Sequence, residues 1–176
     1  QKGLAHLLRA WKSIPTEYGL VLCAGSPDEP GIGAEVAELI AELQKTRNNI
    51  WWIKDMLPHD QLTAMLTAAD LFVCPSIYEP LGIVNLEAMG CETAVLGSRV
   101  GGIPEVVADK ETGELVDYNG EAAPFEKALT DSITRLMSQP ELLKKYGAAG
   151  RARAQKLFGW DAVAALTVDL YRRVIA

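Results

Sequence analysis

Five short and almost purely apolar runs mark the first two thirds of the chain, and helical patterns fill the spaces between them. Near-continuous apolar runs of this length, ended by turn residues, are typical of strands that are covered on both faces. Strands that alternate with helices predict an open parallel α/β sheet with right-handed crossovers and helices on both faces. The predicted strands are GLVLCAG (19–25), NIWWIKD (49–55), DLFVCPS (70–76), TAVLGS (93–98) and GELVDY (113–118).

Eight helical segments accompany these strands, and after Tyr118 only helices follow. Trp51 and Trp52, in the second strand, are interpreted as core residues, and the alternative is that one of them shelters the base of a bound nucleotide. The chain opens on a helix where the alternation requires a strand, so we expect a strand before Gln1 in a longer parent protein. The predicted helices are Leu4–Ile14, Ala34–Lys45, His59–Ala69, Gly82–Met89, Ile103–Ala108, Ala122–Ser138, Pro140–Phe158 and Trp160–Ile175.

Composition narrows the class of protein. The chain has 176 residues and 49% hydrophobic content, which suit a single domain, residues 1–176, with a real core. A formal net charge of −6 argues against a nucleic-acid partner. No run approaches the roughly 20 apolar residues of a membrane span, and no N-terminal signal pattern occurs. The odd number of cysteines, three, favours reduced thiols, and we therefore expect a cytoplasmic protein.

Two glutamates stand out in the stretch YEPLGIVNLEAMG, residues 78–90. Glu87 lies in an otherwise apolar helix, where a carboxylate is costly to bury unless it accepts hydrogen bonds. Two neighbouring hydroxyls, as on a ribose, are suitable donors. Glu79 lies at the mouth of the same loop, at the carboxyl end of a strand, where open parallel sheets bind ligands. The free backbone donors that start the new helix are those of Leu81, Gly82 and Ile83.

The sequence around these glutamates resembles that of the donor-binding half of retaining glycosyltransferases of the GT-B type. These belong to the family-4 class, which includes bacterial glycogen synthases, sucrose synthases and mannosyltransferases. The sequence is most similar to the actinobacterial type of glycogen synthase. The resemblance implies a Rossmann-like C-terminal half of a GT-B fold, with residues 159–176 as a crossover helix. The matching elements are QKG (1–3), AADLFVCPS (68–76), Glu79 with Glu87, LEAM (86–89), Gly101-Gly102 with Glu105, Thr112-Gly113, and Phe158 with Trp160.

The resemblance also implies roles for individual residues. Glu87 would bind the ribose hydroxyls of the nucleotide, Glu79 would lie beside the donor sugar, and the amides of residues 81–83 would contact sugar or phosphate. Lys2 would bind the distal phosphate of the leaving nucleotide, which makes Lys2 and Glu79 the candidate catalytic residues. Cations and amide dipoles aimed at the diphosphate would stabilise its developing charge in the transition state.

Other expectations concern the donor and the reaction. The base would lie against the loop after the second strand, with Lys54 and Met56 among its contacts. The donor would be ADP-glucose or UDP-glucose. The family retains anomeric configuration, by front-face attack in which the leaving phosphate takes the proton of the acceptor. No D-x-D motif occurs, in agreement with a reaction without metal, and no other cofactor is expected.

The resemblance leaves parts of the enzyme outside this sequence. The family has an arginine five residues before the lysine, on a central strand, and a separate N-terminal domain that binds the glucan or other acceptor. We therefore expect this polypeptide alone to be inactive, with a homodimer or strand exchange as one way to cover its unpaired strand edges. Arg99 is interpreted as a surface residue.

Three other functions stay open at this point. The chain fits another family-4 hexosyltransferase with a lipid, protein or small-molecule acceptor. It also fits a non-catalytic module that binds nucleotides or mediates assembly. A sugar-nucleotide epimerase of the GT-B type is disfavoured, because the context of Glu79 and Glu87 reads as the transferase pattern.

Overall fold

The computed structural model describes residues 1–25 and 30–175, and it confirms the predicted α/β class. All five predicted strands form. Each is four or five residues long, because the turn residues that flank the apolar runs stay outside the hydrogen-bonded ladders. The strands are β1 (Leu20–Cys23), β2 (Ile50–Ile53), β3 (Leu71–Cys74), β4 (Ala94–Ser98) and β5 (Gly113–Val116).

The strands form two parallel sheets rather than one. β1 pairs with β2, with Leu20 opposite Ile50, and β3, β4 and β5 pair in that order. No hydrogen-bonded pairing joins the two sheets in the described residues, so β1, β2, β3 and β5 each have one unpaired edge. A sheet without its central strand would be divided in this way. That a longer parent protein supplies such a strand stays a prediction.

The helices agree with the predicted segments to within a few residues. The long helix predicted over 140–158 is α-helical to Arg153 and then continues as a π-helical turn, Ala154–Phe158. The crossover helix predicted over 159–176 is observed as Trp160–Ile175, and Ala176 lies outside the described residues. The helices are α1 (Leu4–Trp11), α2 (Pro30–Gln44), α3 (His59–Ala68), α4 (Ile83–Gly90), α5 (Ile103–Val106), α6 (Ala122–Met137), α7 (Pro140–Arg153) and α8 (Trp160–Ile175).

Helix α1 connects the two sheets. It packs against α2, which follows β1, and against α6, which follows β5. Its buried residues Leu8 and Trp11 share one apolar cluster with Leu22 of β1 and Leu96 of β4. Burial of such side chains contributes about 1.5–3 kcal/mol each, so this cluster is a major source of stability. The residues just before α1 are thereby held at a fixed place relative to β3 and β4.

The prediction that every strand is covered on both faces is wrong for the smaller sheet. In β4 all five residues are buried, whereas burial alternates along β1. Val21 is 45% exposed and Trp51 is 51% exposed, so Trp51 is not a core residue. Trp52 is partly buried, and its indole N–H donates to the carbonyl of Ala24 at 2.9 Å. Apolar periodicity alone does not distinguish a strand covered on both faces from one covered on a single face.

Helix α8 has no buried residue. Its apolar side chains face solvent in the described part of the chain, with Trp160 87% exposed and Leu166 67% exposed. Among the described residues, no helix combines the length and the apolarity that a bilayer crossing requires.

Candidate functional site

The chain segment before α1 is pinned to the end of β3. The carbonyl of Gln1 accepts a hydrogen bond from the N–H of Ile77 at 2.8 Å. Gly3 has a left-handed backbone, φ +66°, and a side chain there would collide with the carbonyl oxygen of Pro75. Only glycine meets both conditions without strain. The QKG motif therefore fixes the position of Lys2 over the loop that follows β3.

Lys2 and Glu79 form an ion pair across 77 residues of sequence. The Lys2 ammonium donates to Oε2 of Glu79 at 2.6 Å. The Glu79 side chain is only 9% exposed, whereas that of Lys2 is 67% exposed. The hydroxyl of Ser76 donates to the same carboxylate oxygen at 3.4 Å, and the buried Ser98 hydroxyl donates in turn to the Ser76 carbonyl. The carboxylate is thus held from beneath, and the ammonium keeps donors free for a ligand.

A left-handed glycine separates Glu79 from helix α4. Gly82 precedes the helix with φ +90° and ψ 50°. The backbone N–H groups of Leu81, Gly82 and Ile83 donate to no other described residue. Unpaired donors at a helix N terminus attract anions, and the helix dipole adds to that attraction. The predicted donor groups therefore lie directly beyond the Lys2–Glu79 pair.

Two adjacent glycines, Gly101 and Gly102, pack closely against the backbone of the Glu79 loop. The N–H of Gly102 donates to the carbonyl of Glu79 at 3.0 Å. A side chain at Gly101, where φ is +52°, would collide with that same carbonyl oxygen. A side chain at Gly102 would collide with the backbone of Pro80 and Leu81. The Gly101-Gly102 motif therefore acts through close backbone contact with the Glu79 loop.

Glu87 lies on α4, one turn after Ile83. Its side chain is partly buried and forms no hydrogen bond or ion pair with a described residue. Residues four apart share a helix face, so the carboxylate of Glu87 follows the free N–H of Ile83 along one side of α4. Its hydrogen-bonding capacity thus remains available to a ligand. The assignment of ribose hydroxyls to it stays a prediction.

The residues predicted to contact the base lie on the other sheet. Lys54 follows β2, and its ammonium lies 4.2 Å from the ring centre of Trp52. Met56 is 97% exposed. Among the described residues, no hydrogen bond or ion pair joins either residue to the Glu79 loop. The structure thus brings Lys2, Glu79 and the start of α4 together, and it shows no polar contact of Lys54 or Met56 with them in the described part of the chain.

Arg99 is occupied by two carboxylates. It pairs with Asp109 at 2.6 Å and with Asp117 at 2.8 Å. The hydrogen bonds that Arg99 donates to Asp109 and Asp117 raise its pKa above the ordinary value. Because its donors are used in this way, the interpretation of Arg99 as a surface residue rather than a phosphate ligand agrees with its position.

Two surface hollows lie elsewhere. One, of about 380 Å³, is next to the end of β5 and includes Asp117 and Asn119, and the other, of about 540 Å³, includes Lys45 and Arg47. Neither contains a predicted site residue. In the described ranges, no group of three or more His, Cys, Asp and Glu side chains is arranged to hold a metal.

Sequence reasoning missed three features of this site. It assigned Lys2 and Glu79 separate roles without pairing them, and it gave Ser76 and Ser98 no role in holding Glu79. It also overlooked Asn85, which is fully buried between the two glutamates of the motif. An asparagine inside an apolar helix was a visible signal, since a buried amide is as conspicuous there as the carboxylate of Glu87.

The residues of this site lie within the part of the chain that is similar to known proteins. The model of the family described as glycosyl transferases group 1 matches residues 1–153, and so includes the QKG motif, the Glu79 loop and the Gly101-Gly102 motif. An alpha-maltose-1-phosphate synthase from Mycolicibacterium smegmatis is 47% identical over 177 aligned residues, which cover all of this chain and 46% of that protein. The chain thus spans about half the length of this curated relative.

Solved structures give the same result for the fold. A sucrose-phosphate synthase from Thermosynechococcus elongatus superimposes with a TM-score of 0.79 at 34% identity, over 99% of this chain and 42% of that one. HepE from Anabaena, in complex with UDP-glucose, superimposes with a TM-score of 0.76 at 22% identity, over 95% of this chain and 45% of that one. At that lower identity the likeness concerns the fold alone.

Proposed function

Because this chain belongs to the group 1 glycosyl transferases, we propose that it is the nucleotide-sugar-binding half of a retaining hexosyltransferase. One observation carries the proposal: the Lys2–Glu79 ion pair, 2.6 Å long, joins the start of α1 to the loop that opens α4. Two positive helix ends and an ammonium group with free donors converge there. Such an arrangement suits the diphosphate and sugar of a donor better than it suits a neutral ligand.

The proposed donor is ADP-glucose or UDP-glucose. The relative named alpha-maltose-1-phosphate synthase supports glucose, since maltose consists of two glucose units. In this proposal Glu87 accepts hydrogen bonds from the ribose, and the N–H groups of residues 81–83 donate to sugar or phosphate oxygens. Lys54 and Met56 contact the base from the end of β2.

The proposed chemistry is glucosyl transfer with retention. Breaking the anomeric C–O bond leaves a more negative diphosphate, which Lys2 and the α4 amides stabilise more strongly than they stabilise the intact donor. Glu79, held under the sugar by Lys2 and Ser76, orients the donor. The leaving phosphate takes the proton of the acceptor hydroxyl. Neither a metal nor another cofactor takes part in this scheme.

In this proposal the acceptor binds to a part of a longer parent enzyme that lies outside this sequence. We propose an α-glucan, as in a glycogen synthase, or a glucose phosphate, which the name of the 47% identical relative supports. Either acceptor ends in a sugar hydroxyl, so the same donor half serves both. The proposed location of the enzyme is the cytoplasm, where its three free thiols would stay reduced.

The experiment that tests this function is a calorimetric titration of the chain with ADP-glucose, UDP-glucose, ADP and UDP. We expect one nucleotide series to bind, and we expect Glu87→Gln to weaken that binding at least tenfold, about 1.4 kcal/mol. Gln keeps the size of the side chain and removes its charge.

A matched control is Glu141→Gln, the same substitution at a side chain that is 83% exposed at the start of α7. It should leave donor affinity unchanged. If none of the four ligands binds at millimolar concentration, the proposed function is wrong for this chain. If a ligand binds equally well to Glu87→Gln, the ribose assignment is wrong and the donor site stands.

A further inference from the structure

Asn85 is the most anomalous buried residue of the site. It is 0% exposed, and both polar atoms of its side chain, Nδ2 and Oδ1, lack a hydrogen-bond partner among the described residues. Leaving a buried amide unpaired is costly, whereas an apolar side chain of the same shape would carry no such cost. The presence of asparagine at this position therefore calls for a role other than stabilising the fold.

The amide lies directly beneath the turn that carries Glu79 to α4. A Cβ atom placed on Gly82 would be 2.5 Å from Nδ2 of Asn85 and 3.5 Å from Cγ of Glu79. The backbone N–H of Asn85 also donates to the carbonyl of Gly82 at 2.9 Å. The side chain is thus in contact with the loop whose amides are proposed to bind the donor.

Unused acceptors lie in the same loop. The carbonyl of Glu79 accepts from Gly102, and that of Gly82 accepts from Asn85 itself. The carbonyl oxygens of Pro80 and Leu81 accept no backbone hydrogen bond from a described residue. Unpaired donors on Asn85 and unpaired acceptors in the adjoining loop are complementary, so a small movement of the loop would pair them.

We propose that Asn85 is a positioning residue for the loop Glu79–Gly82. When the donor draws the loop amides onto its sugar and phosphate oxygens, the Asn85 amide forms its hydrogen bonds to the loop carbonyls and holds the loop in the bound geometry. Pairing of a buried amide favours that geometry over the one in which the amide is unpaired. This inference rests on the proposed function, because it takes the ligand of the loop to be a nucleotide sugar.

The test uses Asn85→Leu, which keeps the branched shape and removes the polar atoms. We expect its Tm to rise by roughly 2–4 °C, because the folded chain no longer buries an amide without hydrogen bonds. We expect its affinity for the nucleotide sugar that the wild type binds to fall at least tenfold. Opposite changes in stability and affinity distinguish positioning from a structural role, in which both would fall together. Asn85→Ala is the second variant, and its affinity should fall as well even if its cavity lowers Tm.

A matched control is Asn49→Leu, the same substitution at an asparagine that donates to the carbonyls of Thr16 and Tyr18. It should lower Tm and leave donor affinity unchanged. If the wild type binds and both Asn85 variants bind equally well, the inference is wrong and the proposed function stands. If Asn85→Leu lowers Tm, with or without a loss of affinity, Asn85 is structural and the inference is wrong. If the wild type binds no nucleotide sugar, the proposed function fails and the inference fails with it.

Discussion

Substitution of Gly101 by alanine is expected to lower the free energy of unfolding by about 3–5 kcal/mol, which places it among the severe single changes. The new methyl group would overlap the carbonyl oxygen of Glu79, and the backbone at Gly101 is left-handed at φ +52°. Both partners of this contact are backbone atoms, so no flexible side chain can move away. The loop that carries Glu79 would have to shift, and with it the carboxylate beneath Lys2.

Urea unfolding followed by circular dichroism measures this effect, and two other glycines separate its causes. Gly120 is also left-handed, φ +93°, but has nothing within 4 Å of the position a Cβ would take. Gly120→Ala should therefore cost only the backbone term, about 1–2 kcal/mol. Gly90, at the end of α4, is open as well, and alanine there should stabilise by about 0.5–1 kcal/mol. Equal losses at Gly101 and Gly120 would refute the collision with Glu79.

The elements of this fold were predictable because their signals are local. Each of the five strands is an apolar run that ends at turn residues, and the period of the helices is visible within their own segments. The division of the five strands into two sheets was not visible in the same way. Strand pairing joins residues far apart in sequence, and no local pattern records which edge is free. The exposure of Trp51 was unpredictable for the same reason, because its burial depends on which distant residues pack over β2.

The geometry of the candidate site could be inferred from local sequence only within one short motif. Glu79, Gly82 and Glu87 lie within nine residues, and their spacing indicated a loop followed by a helix. The ion pair of Lys2 with Glu79 spans 77 residues and depends on the backbone lock between Gly3 and Pro75. Sequence alone supplied Lys2 through its resemblance to a family, whereas the structure supplies the physical reason for the QKG motif.

The second large effect that we expect is an asymmetry between the two members of that ion pair. Lys2→Met should lower the free energy of unfolding by about 1–3 kcal/mol, because it leaves a buried carboxylate with only the distant Ser76 hydroxyl as a side-chain partner. Glu79→Gln should change it by less than about 0.5 kcal/mol, because the exposed ammonium of Lys2 stays hydrated. The larger loss of stability is therefore expected when the buried carboxylate of Glu79 loses its partner, because water cannot reach it to replace that partner.

Donor binding should show a different order. Lys2→Met should weaken the binding of a nucleoside diphosphate by about 10- to 100-fold, the range of a charge-assisted hydrogen bond to phosphate. Glu79→Gln should leave nucleoside diphosphate binding near the wild-type level and weaken only the nucleotide sugar, because the carboxylate is proposed to orient the sugar. Calorimetry with diphosphate and sugar nucleotide on each variant separates the two roles. Lys127→Met is the control, since that lysine is 75% exposed in a surface pair on α6. An equal loss of diphosphate affinity in both site variants would mean that Lys2 acts only by holding Glu79, and that it does not contact phosphate.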